Sequence, residues 1–89
     1  MQQRQITIVN KLGLHARAAA KLVNTAGAYG AEVLISKNGQ QVNGKSIMGV
    51  MMLAASCGSQ VELQVDGEDE QQAMQALVSL IEDRFGEDE

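Results

Sequence analysis

Val61-Glu62-Leu63-Gln64-Val65 alternates apolar and polar side chains without a break. Successive side chains of a strand point to opposite faces, so this segment reads as a strand with one buried and one wet face. A sheet containing it needs cover on one side only, which excludes an all-helical bundle and a sheet buried on both faces. Residues 5–9 alternate β-branched and polar types in the same way and read as a first strand. Glu32-Val33-Leu34-Ile35-Ser36 reads as a second. Asn38-Gly39 is the strongest short hairpin signal and returns the chain as Gln41-Val42-Asn43, the third strand. Asp66-Gly67 turns the chain after the fourth.

Helical periodicity fills the intervals. Residues 16–26 are alanine-rich, with Ala19, Leu22, Val23 and Ala26 at helical spacing. Gly27 and Gly30 are read as stop signals in the left-handed cap conformation. Ser46 stands where an N-cap would open a short helix running to about Leu53, with Gly58 closing that segment. A longer amphipathic helix is expected over residues 69–84, with Ala73, Ala76, Leu77, Leu80 and Ile81 on one face and Gly86 able to end it. Glu68, Asp69 and Glu70 gather at its positive end. The order is β-α-β-β-α-β-α. It predicts an α+β open-faced β-sandwich: a four-stranded, mostly antiparallel sheet covered on one face by three helices.

At 89 residues the natural expectation is one domain, residues 1–89, burying roughly 60–65% of its unfolded surface. That leaves little room for an enclosed active site. Aromatic residues are 2% of the chain, Tyr29 and Phe85, so aliphatic side chains must build the core. Cys57 is the only cysteine, which rules out an internal disulfide and a thiolate cluster; it is expected to pack as a small buried or half-buried residue. No signal-peptide pattern and no membrane-length apolar run is present, so the cytoplasm is the expected compartment. Six of the seven Lys and Arg residues lie at or before Lys45, while ten of the eleven Asp and Glu residues lie at or after Glu62. A net charge of −4 without a basic cluster or stacking aromatics argues against nucleic acid. The basic first half suits acidic protein partners. Gly86-Glu87-Asp88-Glu89 is read as a solvated acidic tail.

Gly13-Leu14-His15-Ala16-Arg17-Ala18-Ala19-Ala20 places the only histidine where loop becomes helix. A helix start carries unpaired backbone N–H groups and a partial positive charge, a seat for an anion. A neutral imidazole there is a nucleophile able to attack phosphorus. Nδ1 of His15 is the ring nitrogen nearer the backbone and can approach the amides of Ala16 and Arg17. The Arg17 guanidinium is a fork of donors suited to phosphate oxygens. One histidine without cysteine or a carboxylate cluster does not complete a metal site, so no metal or cofactor is expected. No hydrolytic triad is suggested.

This stretch resembles the phosphorylation motif of the histidine-containing phosphocarrier (HPr) family of the phosphoenolpyruvate-dependent phosphotransferase system. Lys45-Ser46-Ile47-Met48-Gly49-Val50-Met51-Met52-Leu53 resembles the family's serine-phosphorylation segment, and Gly67-Glu68-Asp69-Glu70-Gln71 also fits. The resemblance spans essentially the whole chain. It implies a monomeric phosphocarrier, not an enzyme in its own right. His15 would accept a phosphoryl group from enzyme I and pass it to an enzyme IIA-type acceptor. It further implies regulation at Ser46 by an HPr kinase/phosphorylase, and partner docking through Ala20, Ile47, Met48 and Met51. Val50 and Leu53 are assigned to the core. Ala18 stands where the family most often has proline, and Asn24, Gly27 and Gly49 where many members have lysine. The nitrogen-related (NPr) branch and carbohydrate uptake are both compatible with this pattern. Ser46 also has a plain role as a helix N-cap. The alternative function is a regulatory protein-binding module that works through Ser46 and contact with partners.

Overall fold

The computed structural model describes all residues, Met1–Glu89. Its elements are β1 (Gln2–Thr7), α1 (Ala16–Gly27), β2 (Glu32–Lys37), β3 (Gln40–Asn43), α2 (Ile47–Met52), β4 (Gln60–Asp66) and α3 (Glu70–Glu82), followed by a single 3-10 turn, Arg84–Gly86. The four strands form one antiparallel sheet in the order β1-β4-β2-β3. β1 and β2 therefore run the same way on either side of β4, and α1 crosses between them. The strict alternation of β4 has its physical counterpart here. Val61, Leu63 and Val65 are buried while Glu62 and Gln64 are only half-buried, on the face that carries no helix. On that open face Gln41 donates to Gln64 at 3.3 Å, and beside it Gln5 donates to Gln60 at 2.9 Å.

The other face carries the core. Val33, Ile35, Val61, Leu63 and Val65 of the sheet meet Ala19, Leu22 and Ala26 of α1, Val50 of α2, and Ala73, Leu77 and Ile81 of α3 in one apolar cluster. Small residues at Ala18, Ala19 and Ala26 suit the close approach of α1 to both α2 and α3. The hairpin signal acts as expected: Asn38 (φ 51°) and Gly39 (φ 84°) both occupy left-handed space, the two-residue turn that matches strand twist. Gly67 is required by a close approach as well as by its φ of 157°. A Cβ there would lie 2.7 Å from Cα of Ala31.

Several boundaries and environments differ from expectation. β1 begins at Gln2, not at residue 5, and ends at Thr7. Its ladder with β4 runs from Gln2↔Val65 to Thr7↔Gln60, so an interior partner strand recruits Gln2, Gln3 and Arg4, which carry no apolar pattern. Gly27 and Gly30 are not left-handed stops. Gly27 is the last residue of α1, Ala28 caps it in right-handed geometry, and neither glycine has positive φ. α3 ends at Glu82, because Arg84 and Phe85 (both φ 55°) swing the chain back so that Phe85 enters the core. Cys57 is exposed, since it sits in the tight turn between Ser56 and Ser59. No helix is long and apolar enough to cross a membrane.

The acidic start of α3 does more than complement a dipole. Asp69 reaches across to the end of the α1–β2 connection and accepts from the amides of Gly30 and Ala31, both at 2.9 Å. The Gly30 amide, then that of Ala31, holds the Asp69 carboxyl below the usual carboxylate range. A carboxyl whose folded value is depressed stabilises the fold above its unfolded value, and that contribution fades as pH falls through the folded one. Acid unfolding of Asp69→Asn is therefore expected to show a shallower loss of stability below about pH 4 than the parent, with lower stability at pH 7. Denaturant melts across that range check it.

Candidate functional site

His15 is the N-cap residue of α1, with extended backbone (φ −71°, ψ 177°) and no side-chain cap bond. The first bond of the helix runs from the Ala19 N–H to the His15 carbonyl at 2.8 Å. The amides of Ala16, Arg17 and Ala18 thus have no partner within the helix. Good cap residues would satisfy one of them; this helix instead leaves its positive end open.

The loop that delivers His15 is fixed by backbone contacts. Gly13 has φ 67°, and a Cβ there would lie 2.4 Å from the Ala55 carbonyl oxygen. The same carbonyl accepts from the Leu14 amide at 2.8 Å, and Leu14 is buried. Only glycine can pass this close to the segment after α2. Leu14 thus anchors the loop in the core, and His15 leaves it at a defined point with its side chain 28% exposed.

An open cleft of about 700 Å³ lies beside it, lined by Lys11, Leu12, His15, Ala16 and Arg17 on one side and by Glu87, Asp88 and Glu89 on the other. Arg17 is exposed and has no hydrogen-bond or ion-pair partner within the chain. Of the nearby cations, Lys11 pairs with Glu89 at 3.0 Å, and Lys21 donates to the Phe85 carbonyl at 2.6 Å. The sequence reading of the tail as solvated is corrected at Glu87. This residue is only partly exposed, and its carboxylate accepts from Nε2 of His15 at 2.5 Å and from Asn10 Nδ2 at 3.1 Å. The tail returns because Phe85 is buried and because the Lys11 amide donates to the Glu89 carbonyl at 3.1 Å. Nothing in the local pattern of four residues, three of them acidic, signals that return. The useful signal is Phe85, one of the two aromatic residues, just before them.

Ser46 lies in α2's N-cap, as expected, with Oγ accepting from the Gly49 amide at 3.2 Å. Val50 and Leu53 are buried, whereas Ile47, Met48, Met51 and Met52 are exposed, with Met48 the most open at 72%. Ala20 is half-buried. α2 packs on α1, and the segment after it grips the His15 loop, so the exposed side chains of α2 belong to the same end of the molecule.

The family model for the phosphotransferase-system HPr component, described by its phosphorylation site, matches residues 2–83. The chain belongs to the HPr family. It is 63% identical to the phosphocarrier protein HPr of Cupriavidus necator, over all of both chains. The HPr-C-His structure from Thermoanaerobacter tengcongensis superposes with a TM-score of 0.97 at 47% identity, covering both chains completely. An HPr dimer from the same organism gives 0.79 at 48% identity, covering 98% of this chain and all of that one. HPr proteins are phosphocarriers of the phosphotransferase system, intermediates in a relay rather than enzymes. The four-stranded sheet with three helices on one face is the HPr fold.

Proposed function

We propose that Nδ1 of His15 carries the phosphoryl group, accepted from phosphorylated enzyme I and passed on to an enzyme IIA-type acceptor. One observation supports this above others: His15 sits at a helix start whose first amides are unpartnered, beside a guanidinium with no partner of its own. In the first step the Nδ1 lone pair attacks phosphorus as the bond between phosphorus and the donor's carrier atom breaks. The bonding pair leaves with that donor atom, and the PO₃ group moves to His15. Such an in-line transfer asks for position and charge stabilisation. The amides of Ala16 and Arg17 and the Arg17 side chain would supply both. The seat is shallow and open, which suits a group that must be released to the next protein.

The exposed apolar side chains of Ile47, Met48 and Met51, with Ala20, form the docking surface in this reading. Methionine adapts its shape to successive partners. A phosphate on Ser46 would sit at the start of α2 and add about two negative charges to that end of the molecule. Acidic partners would then be repelled. The relay is placed in the cytoplasm, with the carrier acting as a monomer.

The test is incubation with phosphoenolpyruvate and enzyme I, followed by mapping of the label. Acid-labile phosphate confined to His15 is the expected result; label on another residue overturns the assignment. Arg17→Ala is expected to slow transfer roughly a hundredfold, because it removes charge-matched donors from the moving phosphoryl group. Rapid-quench measurement of the single-turnover rate checks this, and Arg17→Lys, which keeps charge without the fork, should recover only part of the loss.

A further inference from the structure

Glu87 lies beyond residues 2–83, the part the family model matches, and the transfer chemistry above makes no use of it. We infer that Glu87 is a positioning residue for His15, gripping the imidazole at Nε2 so that Nδ1 faces the incoming phosphoryl group with its lone pair free. This rests on His15 being the phosphoryl acceptor.

An ionised carboxylate can only accept hydrogen bonds, so across the 2.5 Å contact it is Nε2 that donates. A neutral imidazole has one N–H. With that proton at Nε2, Nδ1 is the basic nitrogen. The bonds from His15 and then from Asn10 hold the Glu87 carboxyl below the usual carboxylate range, which keeps it ionised at neutral pH.

The carboxylate is itself held in place. Asn10 is fully buried and uses both of its amide hydrogens, one on Glu87 and one on the Gly13 carbonyl at 2.8 Å. The reverse orientation of that amide would set its oxygen against a carbonyl and a carboxylate, so the hydrogen-bond network fixes it. Its remaining oxygen is buried with no partner in the chain, a cost that apolar packing would avoid. An asparagine kept there at that cost fits a residue whose task is to present two donors. On either side of Glu87, Phe85 is buried and the Glu89 carbonyl is bonded to the Lys11 amide. Asn10, Glu87 and His15 thus form a chain from the core to the ring.

The arrangement also acts on the transfer itself. When Nδ1 donates its pair to phosphorus, the ring takes on positive charge while its Nε2 proton stays in place. A carboxylate on that proton stabilises the charge as it develops, as the buried aspartate does for the histidine of a hydrolytic triad. The other charged residues lining the same cleft are Arg17 from α1, Lys11 from the preceding loop, and Asp88 and Glu89 from the tail.

The test compares the full-length parent with Glu87→Gln and Glu87→Ala, using phosphoenolpyruvate and enzyme I. Glu87→Gln is expected to lower the maximal rate of His15 phosphorylation about tenfold, with little change in KM for the donor. Proton–nitrogen spectra should show a protected Nε2–H resonance in the parent that is lost in Glu87→Ala. If the parent labels at His15 but Glu87→Gln is as fast or faster, or changes KM alone, the positioning role is overturned and the tail is only a cover. If the parent's Nε2 carries no protected proton, the inference also falls. Failure of the parent to label at His15 would instead strike the carrier reading beneath it.

Discussion

His15→Ala is expected to abolish acid-labile phosphorylation while leaving the protein folded. No other histidine exists in the chain to take over. Without a nucleophilic nitrogen the amides of Ala16 and Arg17 form an anion seat with nothing to hold the phosphoryl group covalently. The fold should tolerate the change because the side chain caps no amide and is more than a quarter exposed. Its one bond is to a Glu87 carboxylate that keeps its bond from Asn10 and can take water in place of the ring. Melting temperature should move by only a few degrees, so a null result in transfer reads as chemistry and not as unfolding. Retained labelling in this variant would place the carrier residue elsewhere.

Phe85→Ala is expected to be the most damaging single substitution for stability. The ring is fully buried in the core, against which the one other aromatic residue, Tyr29, packs only partly buried. Phenylalanine-to-alanine truncation in such a site costs about 3–5 kcal/mol. For a domain of this size that corresponds to at least ~12 °C in melting temperature. Phe85 also sits at φ 55°, a left-handed conformation that bulky residues rarely accept. Burial of the ring offsets that strain. Alanine would keep much of the strain and lose the burial, so the turn should open and free residues 86–89 from the His15 cleft. Calorimetry measures the first effect, and amide exchange at Glu87 and Glu89 the second. A drop of less than a few degrees would mean that the ring is not the anchor of the tail.

Much of this architecture was legible in order along the chain. Alternation at Val61-Glu62-Leu63-Gln64-Val65, the Asn38-Gly39 turn and the spacing of apolar residues in α1 and α3 are local signals, and local signals survive in a linear text. The pairing of His15 with a helix start was legible for the same reason, since Gly13 and the alanines lie within a few residues of it. Ser46 as a cap and the split of α2 into buried Val50 and exposed Met48 were also near-neighbour effects. The misreadings were long-range. Gln2, Gln3 and Arg4 became strand because β4 offered them a ladder. The Gly27 misreading alone was local, since the adjacent Ala28 ends the helix in right-handed geometry. Glu87 read as solvent-exposed charge, yet it meets a residue 72 positions earlier.

By itself, then, the sequence determined the kinds of element, their order, and the histidine and guanidinium set at one helix mouth. Backbone periodicity, turn chemistry and helix-end electrostatics all act over a handful of residues, so composition and spacing suffice to specify them. Only the tertiary structure decided that β4 lies between β1 and β2, and that the last residues fold back to put a carboxylate on the imidazole. Those outcomes depend on which buried surfaces close together, and Phe85 and Asn10 act on His15 only once the core has brought distant segments within hydrogen-bonding reach.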